Sequence, residues 1–341
     1  MLSVILTRAT GEKEFDYLAT RLFAPLGIEN IYWDEIDGCS AGGFGCNITL
    51  DVMAKVGQLF LQNGRWEGHQ IISEEWLRVS TAFQIDSTEN NVLADWRQGY
   101  CYQMWRCARE GCYRADGAFG QYILVLPPQN MIVAIWSEDA YSQDMLDCLY
   151  EEVYDKLDER VYTPDGASTI ALQNEILLWE TPVVQKPTSS WKEAQISGRP
   201  FSVKNDSALW GMTFTFDDAG RLRFEAKHGY EVTTILAGNT LPVRGADKLC
   251  FEAASFIRLQ KEYECEFPYA ASYEGLSDRV LRLHIVWTGL AHSTDITILF
   301  GDRTLTADFS VSYEKYLLPF NSSTPALNIK SQTIHAALSD V

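Results

Sequence analysis

The sequence predicts an α+β chain: helices gathered around a short antiparallel sheet, followed by an all-β barrel or sandwich. Three observations predict it. Apolar residues recur at helical spacing over much of residues 1–160. Within that part, Tyr113 to Trp136 reads as strands broken by Gly117, Gly120, Pro127 and Pro128. From Trp210 onward the apolar period becomes two. The division that follows is a first domain at 1–160, a linker at 161–192 and an antiparallel β domain at 193–341.

Taken in order, Leu2, Ile5, Leu6 and Ala9 share one helical face, and Thr10-Gly11 ends the pattern. Phe15 to Leu26 is a second amphipathic helix, closed by Pro25 and Gly27. Tyr32 to Cys46 is Gly-rich and loop-like. Thr49 caps a helix over Leu50–Gln62, with Asp51 where the helix dipole favours a carboxylate. Ser73 caps a shorter helix carrying Trp76 and Leu77. Gly99 to Trp105 is a strand, followed by Tyr113 onward, Tyr122–Leu126 and Met131–Trp136. Ser142 to Arg160 is a long helix with Met145, Leu149, Val153 and Leu157 on its apolar face. Pro164, Gly166, Pro182 and Pro187 mark the linker. In the β domain Met212, Phe214 and Phe216 alternate with threonines, and Asp217 to Gly220 turns the chain into Leu222 and Phe224. Leu281–Trp287, Ile296–Phe300 and Leu305–Val311 alternate in the same way.

Composition narrows the partners. A chain of 341 residues with 46% hydrophobic content can bury two cores. The net charge of −18 argues against nucleic acid and anionic membrane surfaces. Residues 1–160 hold 12 Lys/Arg against 25 Asp/Glu, so most of the acidity lies there. No apolar run reaches membrane-spanning length, and no signal peptide follows Met1. Cysteines 39, 46, 101, 107, 112, 148, 250 and 265 form no CxxC pair, hence no zinc pattern. They read as reduced thiols of a cytoplasmic protein. No phosphate loop, dinucleotide fingerprint or HExxH occurs, so no metal or cofactor is expected.

Candidate chemistry is sparse. His69 is the one histidine of residues 1–160, so a Ser-His-Asp triad there would need it. Gly38-Cys39-Ser40-Ala41-Gly42 spells GxSxG, but that elbow needs a core strand before it and a helix directly after it. An acidic segment precedes Ser40 and the helix begins only at Leu50, so Ser40 is not expected to be a nucleophile. Ser189–Lys192 and Ser312–Lys315 spell SxxK, one in the linker and one on a strand. A helical turn is needed to bring the amine to the hydroxyl. Gly117 and Gly120, three residues apart beside a strand, let backbone approach a ligand closely. An N–H at such an edge can face a bound carbonyl oxygen, although an ordinary tight hairpin has the same spelling.

The segments GGFGCNITLDVMAKVGQLFLQNGRWEGHQIISEEW, GYCYQMW and RADGAFGQYILVLPPQNMIVAI resemble serine hydrolases of the β-lactamase and penicillin-binding type. That group includes class C β-lactamases, D-amino-acid peptidases, esterases and 6-aminohexanoate-dimer hydrolases. The resemblance covers residues 1–160, and the later β domain resembles barrel-like C-terminal domains of some members. It implies an acyl-enzyme route on amide or ester bonds of small molecules or D-peptides. It also implies three motifs: a helix-borne SxxK, a Tyr-x-Asn loop, and a strand motif ending in glycine. Ala115-Asp116-Gly117 stands at the third, which makes the Ala118 backbone N–H the oxyanion candidate and places Ala115, Asp116, Gly117 and Phe119 along the substrate.

The first two motifs are not found, which places Met1 just downstream of the tyrosine loop and makes this the C-terminal part of a longer hydrolase, inactive alone. A sheet so shortened should leave an unpaired apolar edge at Met131–Trp136. Ala115 and Asp116 stand where β-lactam-preferring members carry Lys and hydroxyl groups. An ester, amide or D-peptide substrate is therefore expected over a β-lactam. Asp116 has a structural alternative, a salt bridge to Arg114 or Arg106. Two other classes stay open: a non-catalytic protein that binds a ligand or partner through a hydrolase remnant, and a non-functional fragment.

Overall fold

A computed structural model describes residues 1–89, 91–139, 142–157, 166–180, 193–205, 207, 209–239, 241–248, 266–288, 292–311 and 332–339. The chain divides into two compact units, Met1–Glu159 and Arg160–Val341. Both helices and sheet are present, and the second unit contains a closed barrel.

In the first unit α1 spans Leu2–Thr10 and α2 spans Glu14–Leu18, running into a π-turn at Ala19–Phe23. Short ladders follow: β1 (Tyr32–Trp33) with β4 (Cys46–Asn47), and β2 (Glu35–Ile36) with β3 (Cys39–Ser40). Helix α3 (Leu50–Leu61) starts where expected, because the Thr49 side chain accepts the Val52 N–H. After β5 (Arg65–Trp66) and β6 (His69–Gln70), α4 (Glu74–Ser80) starts in the same way, with Ser73 accepting the Trp76 N–H. The main sheet is antiparallel, in the order β10 (Met131–Ile135), β9 (Gln121–Leu126), β8 (Tyr113–Gly117), β7 (Trp105–Arg106). Helix α3 covers one face, close enough that a methyl on Gly57 would meet Ile123 Cγ2 at 2.9 Å. Helix α5 (Ser142–Glu152) covers the other, burying Leu146 and Tyr150 against Tyr122, Leu124 and Leu126.

Four expectations change. The stripe Leu2, Ile5, Leu6, Ala9 does not face a core: Leu2 is 61% exposed and Ile5 54%, while Ser3 is buried. The cause is the close approach of the chain at 40–42. Ser3 Oγ donates to the Ser40 carbonyl at 2.7 Å, and a methyl on Gly42 would collide with Ser3 Cβ. Only a small residue fits there. The strand expected over Gly99–Trp105 shrinks to β7, since Gly99 and Gln103 have φ of 96° and 61° and break the extended run. The long helix from Ser142 ends at Glu152, with a 3₁₀ turn at Tyr154–Lys156. Its buried positions are Leu146 and Tyr150, while Val153 and Leu157 are exposed, because the backbone leaves helical geometry at Val153. The segment read as linker holds a helix, α6 (Gly166–Glu180). Strand β10 pairs only with β9 among the described residues, which leaves it at the sheet end.

Among the described residues the second unit contains α6, α7 (Glu193–Ile196) and ten strands: β11 (Arg199–Val203), β12 (Leu209–Phe216), β13 (Arg221–His228), β14 (Glu231–Asn239), β15 (Val243–Lys248), β16 (Glu266–Gly275), β17 (Val280–Trp287), β18 (His292–Phe300), β19 (Thr304–Val311) and β20 (Gln332–Leu338). Nine of them close a ring in the order 14-13-12-11-20-19-18-17-16, and β15 is appended to β16. The seam is a short parallel pairing, Gly238 with Ser272 and Asn239 with Tyr273. Glycine suits it, because a methyl on Gly238 would stand 1.9 Å from the Leu241 carbonyl oxygen. Met212, Phe214, Leu222, Phe224, Leu281, Leu283, Ile285, Trp287, Ile296 and Ile298 all point into one buried cluster, as the alternation requires. The turn at 217–220 is held by Asp217 Oδ1, which accepts from the Ala219 and Arg221 N–H groups.

Candidate functional site

The strands β8 and β9 place the turn that the sequence singled out. Gly117 pairs with Gln121, leaving Ala118, Phe119 and Gly120 as a three-residue connection. Phe119 and Gly120 are left-handed, with φ of 64° and 79°. The turn is tied down by the chain after β10. Ser137 Oγ lies 2.7 Å from the Phe119 carbonyl and 3.0 Å from that of Gly120, and the Asp139 N–H donates to Phe119 O at 3.0 Å. The Gln121 amide in turn donates to the Ser137 carbonyl. These bonds draw the turn carbonyls toward residues 137–139 and leave Ala118 exposed one position past the ladder.

Gly120 is required here. Besides its positive φ, a methyl would stand 2.4 Å from Ser137 Oγ and 3.0 Å from Met145 Cε. Gly120→Ala is expected to destabilise by about 1–3 kcal/mol and to speed amide exchange at Phe119–Gln121. An unchanged urea midpoint would show that the turn is not clamped.

The other named residues part company. Arg114 and Asp116 project toward α5, and Ala115, paired with Ile123, lies on the α3 face. Ala115 and Gly117 are half-buried, as is Phe119. Asp116 Oδ2 accepts from Arg114 Nε at 3.0 Å; Nη2 is equally near at 2.9 Å but off line for a hydrogen bond. Of the two readings of Asp116, these distances support the salt bridge.

Arg114 is the centre of a buried polar cluster that the sequence did not announce. It is fully buried, as is Asp95, whose Oδ1 lies 3.6 Å from Arg114 Nη1. Nη1 donates to the Arg106 carbonyl at 3.0 Å, and the guanidinium stacks 4.5 Å from the Trp96 ring centre. Asp95 accepts from Tyr150 Oη at 2.7 Å, from Gln143 Nε2 at 2.9 Å and from the Ala108 N–H at 2.9 Å. Two carboxylates thus face one guanidinium out of water. Burial and the nearby Asp95 push Asp116 above the ordinary aspartate value of 3.8, with Arg114 opposing. A folded carboxyl held above its unfolded pKa keeps a proton that the unfolded chain has lost. Its contribution is therefore full below the ordinary value and is lost as pH rises through the folded one. Asp116→Asn is expected to flatten the slope of the urea midpoint against pH in that window; a slope identical to the parent's would remove Asp116 as its source.

The remaining candidates disperse. Ser40 is buried, its Oγ accepts the Phe15 N–H at 3.1 Å, and the strand carrying it leads into turn rather than helix. It packs α2 and is no elbow. His69 is exposed in a tight hairpin. The SxxK spellings at 189–192 and 312–315 lie outside the described residues. Cys39, Cys46, Cys101, Cys107, Cys112 and Cys148 are free thiols, and Cys250 and Cys265 lie outside the described residues. Among the described residues no group of three or more His, Cys, Asp or Glu is placed to hold a metal, and no helix is long and apolar enough to cross a membrane.

No family model matches the chain, and no curated protein does. Among solved structures it is similar to a protein from Bacillus anthracis described as a 6-aminohexanoate-dimer hydrolase, with 24% identity, 45% of this chain and 40% of that chain covered, and a TM-score of 0.38. It is also similar to an octameric penicillin-binding protein homologue from Pyrococcus abyssi, with 11% identity, 98% and 62% covered, and a TM-score of 0.36. The chain spans less than two thirds of the length of either. Both TM-scores fall below 0.5, so the site stands on its own residues: a clamped turn with an exposed Ala118, backed by a buried Arg114 cluster.

Proposed function

We propose that residues 1–159 form the oxyanion side of a serine hydrolase cleft of the β-lactamase and penicillin-binding type, acting on amide or ester bonds in a longer parent. The Ala118 N–H is the donor. The observation that supports this reading is the turn held by Ser137 and Asp139. A donor fixed before the reaction stabilises developing negative charge without the cost of reorganisation at that moment. Ala115, Gly117 and Phe119 line the approach. Asp116, turned toward Arg114, belongs to the support of strand β8. The preference for an ester, amide or D-peptide over a β-lactam then rests on Ala115, which offers a substrate carboxylate no side-chain donor.

The test follows the amide itself. In a nitrogen-15 spectrum, an alkyl phosphonate, which mimics the tetrahedral intermediate, is expected to shift the Ala118 and Phe119 amides at millimolar concentration. Shifts confined to other regions, or none, would sink the assignment.

No Ser-Lys pair is assigned in this chain. It is expected to hydrolyse neither a chromogenic cephalosporin nor p-nitrophenyl esters above the buffer rate. Turnover that disappears in Ser40→Ala would overturn this. Phosphonate binding without turnover also fits the alternative class, a ligand-binding protein built on a hydrolase remnant.

A further inference from the structure

We propose that Cys107 and Cys112 are a cross-strand dithiol which a small disulfide converts to an intramolecular disulfide, stapling the end strand β7 to the hairpin strand β8. The register places the pair. Trp105 is opposite Arg114 and Arg106 opposite Tyr113, and continuing that register one residue past the strand ends brings Cys107 beside Cys112. The Cys107 N–H donates to the Cys112 carbonyl at 3.0 Å. Opposed residues on antiparallel strands have Cα atoms about 4.5–5.5 Å apart, within the span that disulfides bridge.

Cys107 Sγ is 3.9 Å from Arg114 Nη1, and Cys112 Sγ is 4.0 Å from Tyr154 Oη. Both thiols lie in the cluster under α5, and both are free. The loop between them is closed by the Cys112 N–H on the Arg109 carbonyl at 3.2 Å, with Gly111 left-handed at 76°. Strand β7 has only two residues. A covalent tie there would fix the flank of the strand that carries Ala115 and Gly117. The inference stands whether or not Ala118 serves an oxyanion.

The chemistry is thiol–disulfide exchange. One protein thiolate attacks a sulfur of the small disulfide, forms a mixed disulfide and releases one small thiolate. The second protein thiolate attacks the bonded protein sulfur and releases the other. The protein pair loses two electrons, the small disulfide gains them, and the two thiol protons pass to the released thiolates. Burial pushes the Cys107 thiol up to about 11 and raises Cys112 as well, so exchange in the folded chain is slow. The pair acts as a staple set over hours or during folding, and is no rapid sensor.

Trypsin makes the test direct, because Arg106, Arg109 and Arg114 flank and separate the two cysteines. The whole chain is incubated with oxidised glutathione at mildly alkaline pH, both folded and while refolding from urea, then blocked with iodoacetamide and digested without reductant. The expected product is Cys107–Arg109 joined to Glu110–Arg114, two hydrogens lighter than the separate peptides and split by reductant. In Cys107→Ser, Cys112 is expected to stop at the glutathione mixed disulfide. Alkylated or singly glutathionylated peptides from the parent in both arms would overturn the proposal, as would linkage of either cysteine to any other.

Discussion

Arg114→Met is expected to destabilise the first unit by about 3–5 kcal/mol, because it leaves Asp95 and Asp116 buried without their cation. Methionine keeps the unbranched stem out to the position of Nε and removes the guanidinium end, so the loss reports mainly charge and hydrogen bonding. The cluster ties together the turn at Ala94–Arg97, strand β7 through the Arg106 carbonyl, strand β8, and α5 through Gln143 and Tyr150. Loss at its centre should therefore spread to the clamped turn, seen as faster exchange at Phe119–Gln121. Urea denaturation supplies the magnitude. The triple variant Arg114→Met, Asp95→Asn, Asp116→Asn should recover part of it, since the carboxylates no longer need a partner. A single-variant loss below about 1 kcal/mol would mean that water reaches the cluster in solution.

Trp287→Ala carries a similar expected loss in the barrel, about 3–5 kcal/mol. Its ring is fully buried, stands edge-on to Tyr269 at 6.0 Å, and donates from Nε1 to Thr294 Oγ1 at 3.0 Å. Truncation opens a large cavity and strips a buried hydroxyl of its donor. Hydrogen exchange should quicken in β16, β17 and β18, the strands that meet at this residue. Protection unchanged in those strands would show that the barrel interior closes over the gap.

These two residues differ in how visible they are in sequence. Trp287 ends the run Leu281, Leu283, Ile285, Trp287, and a period of two declares its burial without any knowledge of its neighbours. Arg114 sits in a strand beside charged and small residues. Its partners are 19 positions away at Asp95 and 2 away at Asp116. Asp95, Gln143 and Tyr150 belong to elements whose meeting no local pattern encodes. Only the register of Arg114 with Asp116 on one face was open to alternation, and it points both away from Ala115.

By itself the sequence determined what is local. The caps Thr49 and Ser73, the hairpin at 217–220, the strands over Met212–Phe216, Leu222–Phe224, Leu281–Trp287, Ile296–Phe300 and Leu305–Val311, and the glycine turn after Gly117 are settled by neighbours a few residues apart, through hydrogen bonds and dihedral limits. Tertiary structure decided the rest. It turned Leu2 and Ile5 outward because residues 40–42 press on Ser3, and it ended the α5 helix at Glu152. It closed the barrel through Gly238 and Ser272, where the alternation alone left barrel and sandwich open. It also gathered one arginine and two aspartates under α5. In each case the deciding contact joins segments distant along the chain, and the energy of such a contact depends on approach distance and burial, which no window of sequence contains.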